Sequence, residues 1–208
     1  MAGPDPWPTI QAERKALAAD LQGLTDDQWR TPSLCTGWTV EQVLGHMTAT
    51  ARMTPPGFFI KMLKSGFAFA KMADAAIATE TKDGPARTLA SFEQIEASKK
   101  HPPGPIDTWL GETIVHAEDI RRPLGIKHEY PTDALQQVAD FYKDSNLLIG
   151  AKKRIAGLTL RATDADWSTG SGPEAAGPLV SLVMTMTGRR PAVDDLAGDG
   201  VDTLRSRI

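Results

Sequence analysis

Apolar residues at helical spacing, separated by proline- and glycine-rich breaks, dominate the first 150 residues of this 208-residue chain. Leu17, Leu21 and Leu24 recur at intervals of three or four residues, which is the period of one helix face. Thr-x-x-Gln capping boxes at Thr25 and Thr39 mark two helix starts. Helices with such apolar stripes bury them against one another, so the sequence predicts a helical bundle.

We predict four main helices and some shorter ones, drawn from residues 10–24, 25–31, 39–50, 58–79, 87–100, 106–124 and 132–150. The segment Phe58 to Thr79 is unusually rich in Phe and Met, and it either packs in the core or lines a pocket. In the helix that starts at Thr132, Leu135, Val138 and Leu148 are predicted to face inward.

The pattern changes after Ala151. Residues 158–163 alternate as a β-strand does, and residues 166–169 are a second short candidate. A helix is predicted from Gly177 to Gly188, and the tail 193–208 would add a strand and a helical turn. The predicted fold class is therefore mainly α, with a helical bundle over residues 1–150 and a small α/β C-terminal domain over residues 151–208.

Composition excludes several classes of function. The single cysteine, Cys35, excludes an internal disulfide and any Cys-x-x-Cys zinc finger, and it suits a cytoplasmic protein. The net charge of -3, with dispersed basic residues, predicts no nucleic-acid partner. Lysines and an aspartate interrupt the longest apolar stretch, and the N-terminal residues lack a signal-peptide pattern. We therefore predict no membrane partner.

Glu112 and His116 are the strongest functional candidates. They lie four residues apart in a predicted helix and so share one face, where they could bind one metal ion together. His46, about two turns inside another predicted helix, offers a third donor. Two imidazoles and a carboxylate form the open three-ligand set of catalytic zinc sites, although a Glu and a His at this spacing also occur simply as a helix-stabilising pair.

Asp119 lies on roughly the same helix face as this pair. It could orient a metal ligand or bind a substrate group. The alternative is an ordinary ion pair with a nearby arginine, for which the candidates are Arg87, Arg121 and Arg122.

Two segments resemble a known family. Cys-Thr-Gly-Trp-Thr-Val from Cys35, followed by His46, resembles the opening of the mycothiol-dependent maleylpyruvate isomerase family, within the DinB-like four-helix bundles. Residues 112–120 resemble that family's Glu-x-x-x-His-x-x-Asp helix. The resemblance implies that His46, Glu112 and His116 bind a divalent metal, usually zinc, and that mycothiol is the thiol cosubstrate.

The resemblance continues into the C-terminal domain, through residues 160–167 and 177–189. It implies that Arg189, in a Thr-Gly-Arg helix end, holds a carboxylate of the substrate or cofactor. Arg190 is a rival for that role, and Arg189 could instead cap the helix C-terminus.

These residues lead to a first hypothesis of a metal-dependent enzyme in which a low-molecular-weight thiol attacks a small electrophile. The product would be a thiol conjugate, or a trans acid formed from a maleylpyruvate-like cis acid. Metal-assisted hydrolysis is an alternative that needs Glu118 or Asp119 as general base, and a non-catalytic metal- or ligand-binding stress protein is another. Cys35 is an alternative candidate for the nucleophile. The chain could also form a homodimer.

Overall fold

A computed structural model describes residues 4–147 and 149–208. By their contacts, these residues divide into two compact units. The first spans Asp5–His128, and the second spans Glu129–Ile208 and includes Pro4. Each unit has its own set of packed elements, and the prediction of a mainly α chain with a small α/β C-terminal part is confirmed.

The first unit is helical throughout its regular structure. Its helices are α1 (Trp7–Asp20), α2 (Asp26–Arg30), α3 (Val40–Arg52), α4 (Pro55–Lys64), α5 (Phe69–Thr81), α6 (Pro85–Glu93) and α7 (Ile106–Arg121). Both predicted capping boxes form, since the Thr25 and Thr39 hydroxyls accept hydrogen bonds from the backbone N–H groups of Gln28 and Gln42. These caps set the starts of α2 and α3.

Four of these helices form a closed bundle. Helix α1 packs on α6 and α7, and α3 packs on the same two helices from the other side. The core between them contains Leu17, Leu44, Phe92 and Ile120, which are fully buried and come from one helix each. Burying a side chain of this size stabilises the fold by about 1.5–3 kcal/mol, so this core holds the bundle together.

The segment from Phe58 to Thr79 is two helices, and the prediction of one continuous helix was wrong. Helix α4 ends at Lys64 and α5 begins at Phe69. Between them Gly66 and Phe67 both have positive φ angles, of 65° and 63°, which no helix can accommodate. The first half of the segment does not lie in the core, because no residue of α4 is buried, whereas α5 buries Met72, Ala73 and Ile77. Helix α5 packs on α3, where Gly45 leaves room for it.

The second unit combines helices with a three-stranded sheet. Its elements are α8 (Thr132–Lys143), α9 (Ala151–Arg154), β1 (Thr159–Ala162), β2 (Ser168–Gly170), β3 (Glu174–Gly177), α10 (Leu179–Met186), a 3-10 helix (Arg190–Asp195) and α11 (Val201–Ser206). The strand order is β2-β1-β3, with β1 antiparallel to β2 and parallel to β3. The sequence analysis had not predicted β3, whose short Glu-Ala-Ala-Gly run lacks the β-branched residues typical of strands.

The boundary between the units differs from the predicted one. The sequence analysis placed it at residue 150, whereas the contacts place it before Glu129, because α8 packs on α10 in the second unit. The fourth helix of the bundle is therefore α6, which overlaps the predicted 87–100 segment but begins at Pro85 and ends at Glu93. Leu148, which was predicted to face inward, lies outside the described residues. Across the described chain, every helix is too short or too polar to cross a membrane.

Candidate metal centre

His46 lies in the second turn of α3, next to the buried face of that helix. Its neighbours Leu44 and Met47 are buried in the core, whereas His46 itself is half-buried. The centre of its ring is 4.9 Å from the ring centre of His116, and the two planes meet at 75°. The two imidazoles that the sequence analysis singled out are therefore neighbours across the bundle.

Glu112 and His116 are one turn apart on α7, as the sequence predicted. One donor atom from each of His46, Glu112 and His116 lies within 4.8 Å of the other two. Zinc binds imidazole nitrogens and carboxylate oxygens at about 2 Å, so the donors of one ion lie within roughly 4 Å of one another, and small side-chain adjustments would bring these three onto one divalent ion. The structure thus brings together the three residues that the sequence analysis proposed as metal ligands.

The Glu112 carboxyl lacks a full set of partners. Glu112 is half-buried as a residue, yet its Oε1 is closed off from solvent and accepts no hydrogen bond from the described residues. Burial raises the pKa of this carboxyl above its ordinary value, and the charges of His116 and Arg14 oppose that rise. A buried carboxylate oxygen without a donor is costly, and a bound cation would relieve that cost. The donor set and this oxygen therefore fit a metal ion.

Asp119 contacts His116 directly. Its Oδ2 lies 2.9 Å from His116 Nδ1, and the carboxylate is fully buried. This contact favours the tautomer in which Nδ1 carries the proton and Nε2 has a free lone pair. Of the arginines considered as partners of Asp119, Arg121 pairs with Asp20 and Arg122 with Glu118. The geometry suits a residue that orients a metal ligand.

A short loop, residues 33–38, brings an aromatic ring to the site. The loop is tied to α7 through the Leu34 N–H, which donates to the Asp119 carbonyl at 3.1 Å, and Trp38 closes a turn with Cys35. The Trp38 ring centre lies 4.9 Å from that of His46 and 6.4 Å from that of His116. The sequence analysis quoted Trp38 as part of a motif but gave it no role, since spacing alone does not show which ring lies against a distant histidine.

Cys35 packs against the core and also lies near the donor cluster. Its sulfur, a ring nitrogen of His116 and a carboxylate oxygen of Asp119 also lie within 4.8 Å of one another. The thiol is half-buried and is not in a disulfide. This second group shares His116 with the first, so both belong to one cluster of donors.

A cleft opens beside this cluster. Its volume is about 390 Å³, which is within the range of small-molecule sites. Trp38 forms part of its wall and also lies against the rings of His46 and His116. The other lining residues are Gly37, Gln42, Asp74, Ile77, Ala78 and Thr81. The cleft lies between the loop and α5.

Arg189 belongs to the second unit, where it follows α10. Its guanidinium donates to the Thr187 carbonyl at 3.1 Å, and its charge also lowers the pKa of Arg154, which burial lowers more strongly. Arg190 is exposed and begins the 3-10 helix. The predicted carboxylate-binding role of Arg189 stays a prediction.

Comparison with known proteins identifies a family that resembles the N-terminal part of the chain. Residues 10–98 match the profile of the mycothiol maleylpyruvate isomerase N-terminal domain. This segment of the chain is therefore similar to that domain. The resemblance inferred from the motifs is thus confirmed, and the matched residues include Cys35, Trp38 and His46. No curated protein matches the chain.

Two solved structures are similar in fold. One is the crystal structure of the mycothiol-dependent maleylpyruvate isomerase, with a TM-score of 0.64 and 14% sequence identity over 93% of this chain and 91% of that chain. The other is a histidine-to-alanine mutant of the mycothiol-dependent maleylpyruvate isomerase, with a TM-score of 0.63, 13% identity and the same coverage. At such low identity the similarity establishes the fold.

Proposed function

We propose that this chain is a metal-dependent enzyme that uses a low-molecular-weight thiol, mycothiol, as the nucleophile against a small electrophile. The observation that carries the proposal is the convergence of His46, Glu112 and His116 within 4.8 Å of one another, with a buried Glu112 oxygen that has no described hydrogen-bond donor. The thiol comes from the family, whose N-terminal domain residues 10–98 match.

Zinc suits these ligands best, because two imidazoles and one carboxylate leave a position open for an exogenous group. When bound, zinc would supply a Lewis-acid centre that favours the ionised form of a thiol at neutral pH. His46, Glu112 and His116 would hold the ion.

The residues around these ligands prepare them for that task. The contact of Asp119 with Nδ1 of His116 favours a proton on that nitrogen and leaves Nε2 for a metal ion. The positive charge of Arg14 and a hydrogen bond with Thr50 favour the ionised form of Glu112, against the effect of burial. Trp38 covers one side of His46 and forms a wall of the adjacent cleft, which suits a bound organic molecule.

Isomerisation of a maleylpyruvate-like cis acid needs only reversible chemistry at its double bond. The thiolate sulfur forms a bond to one alkene carbon, and the displaced electron pair moves onto the conjugated carbonyl. Rotation about the resulting single bond follows, and the electron pair then returns to expel the thiolate and leave the trans acid. With an electrophile that carries a leaving group, the same attack gives a thiol conjugate, so S-transfer is the related reaction.

Arg189 is proposed to bind a carboxylate of the substrate or of mycothiol, as the family resemblance implies. A cytoplasmic location and a homodimer also stay predictions.

Hydrolysis is less well supported. It requires a general base, for which the candidates were Glu118 and Asp119. Glu118 forms an ion pair with Arg122 at 2.7 Å, and Asp119 contacts His116. Both carboxylates are thus engaged with cationic or imidazole partners.

Metal analysis of the purified wild type beside Glu112→Ala is the first test. The wild type should contain about one divalent ion per chain and the variant much less. Activity is then followed as isomerisation of maleylpyruvate with mycothiol, and as loss of free thiol with monochlorobimane, in the wild type and in His46→Ala. A folded wild type without metal would refute the metal centre. Metal without thiol-dependent activity would favour a binding protein, and ester hydrolysis without thiol would favour the hydrolase.

A further inference from the structure

Helix α4 and the turn that follows it expose an unusual amount of apolar surface. Five large side chains are more than half exposed: Phe59 at 63%, Ile60 at 56%, Leu63 at 66%, Phe67 at 71% and Phe69 at 52%. Contiguous apolar patches of this kind mark interaction sites on proteins. We call residues 54–71 the apolar hairpin.

The turn of the hairpin presents one aromatic ring at its tip. Phe67 has a φ angle of 63°, a left-handed conformation that is costly for an aromatic residue. Its N–H donates to the Met62 carbonyl, which closes the end of α4. This strained turn leaves the Phe67 ring more exposed than the other four side chains.

The charges of the hairpin are all of one sign. Lys61, Lys64 and Lys71 are exposed, and no carboxylate occurs between residues 54 and 73, although the whole chain has a net charge of -3. At 100° per residue, Phe59 and Leu63 share one face of α4, Lys61 lies on the opposite side and Lys64 lies on the flank between them. An apolar face with aromatic residues, backed by lysines, is typical of helices that lie in the interface of a membrane.

We propose that the apolar hairpin binds peripherally to the surface of an anionic phospholipid bilayer. Phe59, Leu63 and Phe67 would enter the boundary between headgroups and acyl chains, and the lysines would contact the anionic headgroups. Pairing of two hairpins in a symmetric dimer would bring like charges together, which opposes that alternative. The sequence analysis predicted no membrane partner because it considered a spanning segment, whereas this contact needs none. The inference is independent of the proposed catalytic function.

Sedimentation of the full chain with vesicles tests this proposal. We expect binding to vesicles of phosphatidylcholine and phosphatidylglycerol at 3:1, with at least tenfold weaker binding to phosphatidylcholine alone. Each lysine near an anionic surface contributes roughly a fivefold increase in affinity, so replacing all three with glutamine should weaken binding by on the order of 100-fold. The matched control is Lys99→Gln with Lys100→Gln, two exposed lysines outside the hairpin.

The apolar contribution is tested with Phe59→Ser combined with Leu63→Ser. These side chains are exposed, so the variant should fold and yet lose vesicle binding. Leu147→Ser, which removes a 94% exposed leucine elsewhere, should bind as the wild type does. Absence of binding to anionic vesicles, or equal binding to both lipid compositions, would overturn the proposal. The proposal would also be overturned if the wild type were a dimer, if the Phe59→Ser and Leu63→Ser double variant were a monomer, and if both bound vesicles equally.

Discussion

Replacing Glu112 with glutamine separates the metal-binding role of this residue from its effect on the fold. Glutamine keeps the shape of the side chain but removes the negative charge. At a free zinc concentration 100 times the dissociation constant, binding stabilises the folded wild type by about 2.7 kcal/mol. For a chain of this size about 1 kcal/mol corresponds to roughly 2–4 °C, so zinc should raise the wild-type Tm by roughly 5–11 °C.

The variant should respond far less. Loss of a residue that merely supports a metal ligand weakens affinity by about 10–100-fold, so a 100-fold loss is a conservative figure for a ligand itself. At the same zinc concentration the stabilisation of Glu112→Gln falls to about 0.4 kcal/mol, which is a Tm shift below about 2 °C. The assay is differential scanning calorimetry with and without zinc. Glu41→Gln is a matched control, because Glu41 is also a carboxylate whose pKa burial raises, yet it is outside the donor cluster.

Without metal, the effect of Glu112→Gln on the free energy of unfolding should have the opposite sign. The pKa of Glu112 is raised in the fold, so the stability that the wild type gains from the protonated carboxyl is complete below the ordinary pKa of 4.5. That stability is lost as the pH rises through the higher folded-state value. At pH 7 metal-free Glu112→Gln should therefore be at least as stable as the wild type. An equal zinc shift in both proteins, or a metal-free variant that is clearly less stable at pH 7, would refute this reasoning.

Three further substitutions test other parts of the first unit. Asp119→Asn should weaken zinc affinity by about 10–100-fold, because the contact that orients His116 is altered. Competition with a chromogenic chelator measures the affinity, and an unchanged value would contradict the orienting role. Arg121→Met should lower the free energy of unfolding by about 3–5 kcal/mol in urea titrations, because the fully buried guanidinium compensates the carboxylates of Glu13 and Asp20. A loss below about 1 kcal/mol would mean that water already solvates those carboxylates. Gly45→Ala should cost about 1–3 kcal/mol in the same assay, since its Cβ would lie 2.7 Å from Thr81 Cγ2, and a neutral result would show that α5 can move away from α3.

Local sequence signals predicted the helices well where caps and breaks were strong. The capping boxes at Thr25 and Thr39 and the glycine at 125 set helix ends near where they occur. The helix predicted over residues 58–79 failed because no side-chain pattern announces that Phe67 adopts a positive φ. The fourth bundle helix could not be chosen from periodicity, because α6 and α8 are both amphipathic and only their partners differ.

The sequence by itself determined the helical class, the placement of Glu112 and His116 on one helix face, and the family of the N-terminal segment. These follow from local periodicity and from motifs within a few residues, which need no knowledge of distant contacts. Tertiary structure decided the rest. It brought His46 to that face from a helix 66 residues earlier, placed Trp38 and Cys35 beside the histidines, and left the apolar hairpin uncovered. Such proximities arise from how whole helices pack against a shared core, and packing depends on residues far apart along the chain.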